Sequence, residues 1–316
     1  MHIPDGFLDA KTCLGTGCLA VAGLTWATRQ VQARWNERTV PLIGVMAAFL
    51  FAGQTVNFPI ASGTSGHLLG GVLAAMFLGP YGAAIALSTV LVVQSFLFQD
   101  GGVTALGANI TNMGLVASFG GYAICRALRR CWPGRRGAVL SASVAAWASV
   151  VLAAAACALE LAAAGTIPLR TVLPAMTLTH AVIGLGEAVI TAAVVSFILQ
   201  VRPDLVFEPG EVYLDVSALK PLIGCGLLAA LGVALLLRPL ASTLPDGLES
   251  VGVRLEFLRR ATHWMAAPLA DYEVPGVAGS WLGGWLAVGI GVMLTFGLGW
   301  AIARWMRRPR PNVDGR

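Results

Sequence analysis

The chain has 316 residues, 57% of them hydrophobic and only 12% charged, and a net charge of +5. A soluble globular domain carries about a quarter charged residues, so this composition excludes one and indicates a membrane protein. The positive charge sits in short arginine clusters beside the ends of apolar runs, the pattern of cytoplasmic membrane loops rather than of a nucleic-acid surface.

Lipid offers no water to backbone amides, so spanning segments must be helices or closed barrels, and long apolar runs such as Ala138 to Ala164 indicate helices. The fold class is therefore all-α, a polytopic transmembrane helix bundle. The opening Met1-His2-Ile3-Pro4-Asp5-Gly6 lacks the early positive charge of a secretory signal, so the start is expected to be retained. The six cysteines contain no C-x-x-C pair and lie mostly within or beside apolar runs, where cysteine behaves as a small hydrophobe.

In chain order, the spans fall at approximately 12–30, 40–57, 68–78, 81–98, 104–126, 138–164, 171–199, 219–239 and 282–304, most near the ~20 residues a bilayer needs. The third would cover only about 16 Å as a helix, which suits a re-entrant or incomplete span. The Arg29/Arg34/Arg38, Arg126/Arg129/Arg130/Arg135/Arg136 and Arg304/Arg307/Arg308/Arg310 clusters should all be cytoplasmic. That places the amino terminus outside, and residues 68–98 then cross twice with a turn at Gly79-Pro80, giving nine crossings. Trp264, Trp281 and Trp285 are expected near the outer interface, Trp300 and Trp305 near the inner one.

Three units follow: residues 1–200 with seven spans, a mixed-charge cytoplasmic connector over 201–218, and residues 219–316 with two more. Between those two spans runs an external segment, Ala241 to Ser280, whose Leu248, Val251, Leu255, Leu258 and Met265 recur at helical spacing and predict an amphipathic helix on the membrane or on the main module. Within it, Pro245-Asp246-Gly247-Leu248-Glu249 reads as a turn into a helix, Asp246 capping and Glu249 completing a capping box. His263 is expected at the interface.

The residues able to carry chemistry begin at position 1. A free amine, the His2 amide nitrogen and the His2 imidazole are tied by the covalent chain into five- and six-membered chelate rings, which suit square-planar Ni(II) or Cu(II) and leave one equatorial place. His67, in the outer segment Ala61-Ser62-Gly63-Thr64-Ser65-Gly66-His67, is the candidate fourth nitrogen. Either histidine taken alone is equally an ordinary residue of its loop. His180 and Glu187 are seven apart in one apolar helix and share a face, where an intramembrane carboxylate costs about 2.5–3.5 kcal/mol unless paired. They should face the bundle interior, as structural hydrogen-bonding groups or as part of an ion pathway. Asn109 and Asn112 either orient the outer loops or join helices. No G-x-x-x-x-G-K-[ST] phosphate loop occurs, so ATP hydrolysis would need another subunit.

Six stretches together resemble the CbiM/NikM substrate-specific components of energy-coupling factor (ECF) transporters for cobalt and nickel. They are Met1-His2-Ile3 with Asp5-Gly6-Phe7; Gly63 to His67; Phe77-Leu78-Gly79-Pro80; Val93-Gln94-Ser95 through Phe98-Gln99-Asp100-Gly101-Gly102; Ala105 to Asn109; and His180 through Ile183-Gly184-Leu185-Gly186-Glu187-Ala188. The resemblance covers residues 1–200, while 219–305 resemble the PDGLE module of NikN-type partners. It implies that the Met1 amine, the His2 amide and imidazole, and His67 bind the transported Ni2+ or Co2+ without an organic cofactor. It also implies a transmembrane coupling protein, two cytoplasmic ATPases and a multi-pass place in the cell membrane. Pro4 departs from the commonest family opening but leaves the three chelating nitrogens intact. The competing readings are a secondary carrier or channel using His180 and Glu187, and a scaffold that binds nothing. Nickel and cobalt share these ligands, and the fused module leans the reading toward nickel.

Overall fold

The computed structural model describes residues 1–34, 39–60, 63–207, 219–277 and 281–307. Arg38, Arg308, Arg310, Ala61, Ser62, Ser280 and connector residues 208–218 lie outside the described residues.

Helices dominate what is described. They are α1 (Ala10–Ala33), α2 (Thr39–Gln54), α3 (Gly71–Val93), α4 (Leu106–Asn109), α5 (Gly121–Cys131), α6 (Gly134–Ala163), α7 (Leu169–Val201), α8 (Leu219–Leu237), α9 (Gly247–Arg254) and α10 (Trp281–Trp305). Wider π-helical turns prolong α3 over Gln94–Phe98 and join α4 to α5 over Ile110–Gly120. One small hairpin, β1 (Phe58–Ile60) with β2 (Thr64–Gly66), pairs Phe58 with Gly66 and leads directly to His67. Its inner strand is fully buried.

Five described helices are long and apolar enough to cross a membrane: Gly71–Phe98, Gly134–Ala163, Leu169–Val201, Lys220–Leu240 and Trp281–Trp305, with Thr39–Gln54 apolar but shorter. Length and composition thus give fewer crossings than the nine that the charge pattern asks for. The expected turn at Gly79-Pro80 is present as a break inside α3, with Gly79 at φ 69 and ψ 169, a conformation closed to other residues. Pro80 adds a missing donor at the same point. The leg before the break, residues 71–78, covers about 12 Å as a helix, well short of the ~30 Å hydrocarbon thickness.

The arginine clusters meet at one end of the bundle. Arg34, Arg126 and Arg130 line one cavity with Pro80, Tyr81 and Phe207, and the Arg34 guanidinium lies 5.7 Å from the Tyr81 ring centre. Gln32 donates to the Met306 carbonyl at 3.1 Å, bringing the end of α10 and Arg304 to the same place. The opposite end holds residues 1–9, the hairpin, residues 99–104 and the segment after α8.

That last segment departs from expectation. The long amphipathic helix is only α9, and the chain beyond Arg254 continues in 3-10 turns, with Glu256 at φ 60. Leu248 and Val251 are buried as the spacing predicts, but Met265 is exposed. The physical reason is a competing bond pattern: Thr262 N donates to the Asp5 carbonyl at 2.8 Å and Trp264 N to Asp5 Oδ2 at 3.0 Å. A continued helix would carry those amides away from the amino terminus.

A Cβ on Gly79 would lie 2.8 Å from Phe207 Cζ, whereas one on Gly289 would meet nothing within 4 Å. Gly79→Ala should therefore lower stability by about 1–3 kcal/mol for the glycine-only backbone alone, with Gly289→Ala near neutral; thermal unfolding in detergent compares the two.

Candidate metal centre

The amino terminus is buried. Met1, His2 and His67 are 6%, 8% and 9% exposed, and Ile3 is fully enclosed. Asn109 fixes the backbone of Ile3 from both sides: its Oδ1 accepts Ile3 N at 2.8 Å and its Nδ2 donates to Ile3 O at 3.0 Å. Gly102 N donates to the same carbonyl at 2.8 Å. Asp5 Oδ1 accepts both the amide and the hydroxyl of Thr104, at 2.8 and 2.6 Å. Phe7 packs edge-on against Phe257 with centroids 5.2 Å apart, so the entering chain is clamped along its length. Pro4 interrupts none of these bonds.

So anchored, the Met1 amine lies 2.9 Å from His67 Nε2 and donates to Asp246 Oδ2 at 2.6 Å. The His2 and His67 rings stack at 5.2 Å and 23°. One ligand-type atom from each of His2, His67 and Asp246 lies within 4.8 Å of the others. The two histidines of the expected chelate are thus beside the amine, with a carboxylate as neighbour. His2 is held on both nitrogens: Nδ1 faces Asp100 Oδ1 at 3.0 Å and Nε2 faces Gln94 Oε1 at 3.1 Å. Chelation through Nδ1 requires that ring to leave Asp100.

The supporting groups were harder to foresee. Gln94 begins the π-helical turn after α3, a deformation common at functional sites. Tyr272, from the segment before α10, donates to Asp100 Oδ2 at 2.5 Å and accepts from Gln94 Nε2 at 3.3 Å. Burial alone would raise the Asp100 carboxyl, but the His2 ring and the Tyr272 hydroxyl hold it below the usual carboxylate range. Burial likewise works against Asp246, and the charge and hydrogen bond of the Met1 ammonium outweigh it, keeping its carboxyl low. His67 is lowered to about 3 by burial, with the adjacent ammonium adding to the effect, so its ring is neutral and its Nε2 lone pair accepts from the Met1 amine rather than carrying a proton.

The other sequence candidates are close by but do something else. Both Glu187 oxygens accept backbone amides, from Leu69 at 2.6 Å and Gly70 at 2.7 Å, which fixes the turn following His67. His180 bonds the Met176 carbonyl through Nδ1 at 2.8 Å, and its buried Nε2 has no partner. With Met1, Gly66, His67 and Gly247 it lines a cavity of about 20 Å³, room for one water. Asn112 donates to Glu160 Oε2 at 2.6 Å and joins two helices away from the centre. His263 is exposed.

Comparison with known proteins places this chain in a family. Residues 2–205 match the family model described as CbiM, cobalt uptake substrate-specific transmembrane region, and residues 220–308 match the PDGLE domain. A Rhodobacter capsulatus protein described as fused nickel transport protein NikMN is 32% identical over 93% of this chain and 94% of its own. A Sorangium cellulosum protein described as cobalt transport protein CbiM is 30% identical over 65% of this chain and 94% of its own. Among solved structures, a truncated transition metal transporter superposes with a TM-score of 0.58 at 37% identity, covering 63% of this chain and 99% of its own.

Between pH 6.5 and about 3 the unfolded chain binds a proton at residue 67 that the folded chain does not. Stability from this group is therefore complete above pH 6.5 and is lost as pH falls, at about 1.4 kcal/mol per unit at steepest. The difference in pH-dependent unfolding between the native chain and His67→Ala should show this slope.

Proposed function

Because the chain belongs to the CbiM cobalt-uptake family and carries a PDGLE domain, we propose that it is the metal-capturing membrane subunit of an importer for nickel or cobalt ions. The observation that carries the reading is the burial of the Met1 amine 2.9 Å from His67 Nε2. An amine and a neutral imidazole side by side in a water-poor site are a nitrogen donor pair, and the His2 amide and ring are bound to the amine by covalent connectivity. Nitrogen donors of this kind suit Ni(II) and Co(II), and four in a plane favour Ni(II) over tetrahedral Zn(II). Irving–Williams order puts Cu(II) tighter still, so selection in a cell would depend on metal availability.

The charge pattern orients the chain with its amino terminus outside and supports a nine-crossing topology in the cell membrane. A metal arriving from outside then meets a polar vestibule of about 540 Å³ lined by His2, His67, Asp100, Asp246, Glu249 and Tyr272. Energy coupling belongs to partners of the ECF type, a transmembrane coupling protein and two ATPases. On this reading, uptake by the whole assembly stops when ATP hydrolysis is blocked, while a secondary carrier working through His180 and Glu187 would continue on an ion gradient. Glu187, with both oxygens held by amides, favours the first.

One added residue before Met1 moves the amine out of the chelate and should abolish high-affinity nickel binding. His67→Ala should weaken it, leaving solvent in the fourth place. Affinity should fall with falling pH, because metal displaces protons from the amine and the His2 amide. Parallel nickel and cobalt titrations on native and extended chains measure this; unchanged affinity in the extended chain would refute the site.

A further inference from the structure

The residues of the Pro245-Asp246-Gly247-Leu248-Glu249 turn are fixed against the main module and against one another. Pro245 O accepts Ser65 N at 2.8 Å, two residues before His67. A Cβ on Gly247 would lie 2.7 Å from His180 Nε2 and 2.6 Å from Ile183 Cδ1, so only glycine lets the turn settle there. Leu248 is buried among Met1, Ile3 and Ile183. Glu249 and Asp246 bond each other's backbone amides, at 3.0 and 2.8 Å.

That capping box occupies only Oδ1 of Asp246. Oδ2 points away from α9 to the Met1 amine, and its residue is 14% exposed at the side chain. One oxygen thus serves the helix start and the other serves the centre. Nothing in capping requires this second contact, since a helix start needs one acceptor for the N3 amide.

Resting on the metal-capture reading above, we propose that Asp246 is a positioning residue of the metal centre, supplied by the PDGLE module, which holds the Met1 amine on its binding spot and offsets the charge of the ion. The buried ammonium has no other carboxylate partner among the described bonds. After the amine gives a proton up to bind metal it retains two N–H groups, so the bond to Oδ2 persists beside the ion. The centre is then composite: Met1, His2 and His67 come from one module, Asp246 from the other, with Tyr272 from that same second module steadying Asp100.

Asp246→Asn and Asp246→Ser keep a side chain that caps helices well but remove the charge. Each should fold, as thermal unfolding in detergent checks, and each should bind nickel about tenfold more weakly than the native chain. In the metal-free protein, an amine-reactive reagent should label the Met1 amine faster in both variants, a change that loss of a helix cap would not produce where α9 is retained. Asp246→Glu should recover part of the affinity. Folded Asn and Ser variants with affinity within threefold of native and unchanged amine labelling would overturn the proposal. If instead the chain extended before Met1 binds nickel normally, the amino-terminal site itself fails; loss of binding there, with the Asp246 variants unaffected, removes only the present inference.

Discussion

A primary amine held out of water next to a neutral imidazole is the constraint around which the outer end of this molecule is arranged. An ammonium removed from solvent costs several kcal/mol unless it is paired and hydrogen-bonded. Asp246 Oδ2 at 2.6 Å and His67 Nε2 at 2.9 Å provide both. Neither could work if the first residues were loose, because the position of the amine is set by how the backbone of Ile3 is held. The two bonds from Asn109 to Ile3 and the Asp5 bonds to Thr104 and Trp264 supply that restraint. Positioning of the amine therefore depends on residues from both halves of the chain, and the site cannot form before they meet.

The same constraint explains the electrostatics around it. Two stacked histidines beside an ammonium would repel if both were charged, and the neutral state of His67 removes that conflict. Two carboxylates, Asp100 on His2 and Asp246 on Met1, complete the balance. On the metal-capture reading proposed above, an entering ion would substitute its charge for protons rather than add to an already cationic pocket. Chelation would also release His2 Nδ1 from Asp100, so affinity would reflect the difference between nitrogen–metal bonds gained and a charge-assisted hydrogen bond lost.

The part of the centre that was legible in the sequence is the part fixed by covalent connectivity or by short spacing. Met1 and His2 are adjacent, and the glycine-rich run before His67 advertises a close backbone approach. The break at Gly79-Pro80 was equally readable because glycine and proline act locally. Asp246 was read correctly as a helix cap, and that reading concealed its second role: the pattern Asp246 to Glu249 explains Oδ1 completely, while the partner of Oδ2 lies 245 positions away. Gln94, Asp100 and Tyr272 acquired a role only through pairs separated by 92, 98 and more residues, which no local period encodes. His180 and Glu187 share a helix face as expected, yet Glu187 is satisfied by the amides of Leu69 and Gly70 rather than by the histidine. The amphipathic spacing after Leu248 was real but was overridden by the bonds that Thr262 and Trp264 make to Asp5.

Closure of the centre by two modules sets a condition on any release step. The modules are joined near the site by Ser65 N to Pro245 O, Ser242 N to Asn57 O and Leu269 N to Leu97 O, at 2.8, 2.8 and 2.9 Å, together with the Met1–Asp246 pair. Each neutral bond contributes about 1 kcal/mol net and the charged one about 1.5–3 kcal/mol, so separating the modules is uphill by several kcal/mol before any metal–ligand bond is counted. Inverting a 99:1 preference for the closed arrangement takes about 5.5 kcal/mol of differential binding. Thermal opening of the isolated chain would thus be rare, and on the metal-capture reading proposed above, release of an ion would require a partner that binds the open arrangement more tightly.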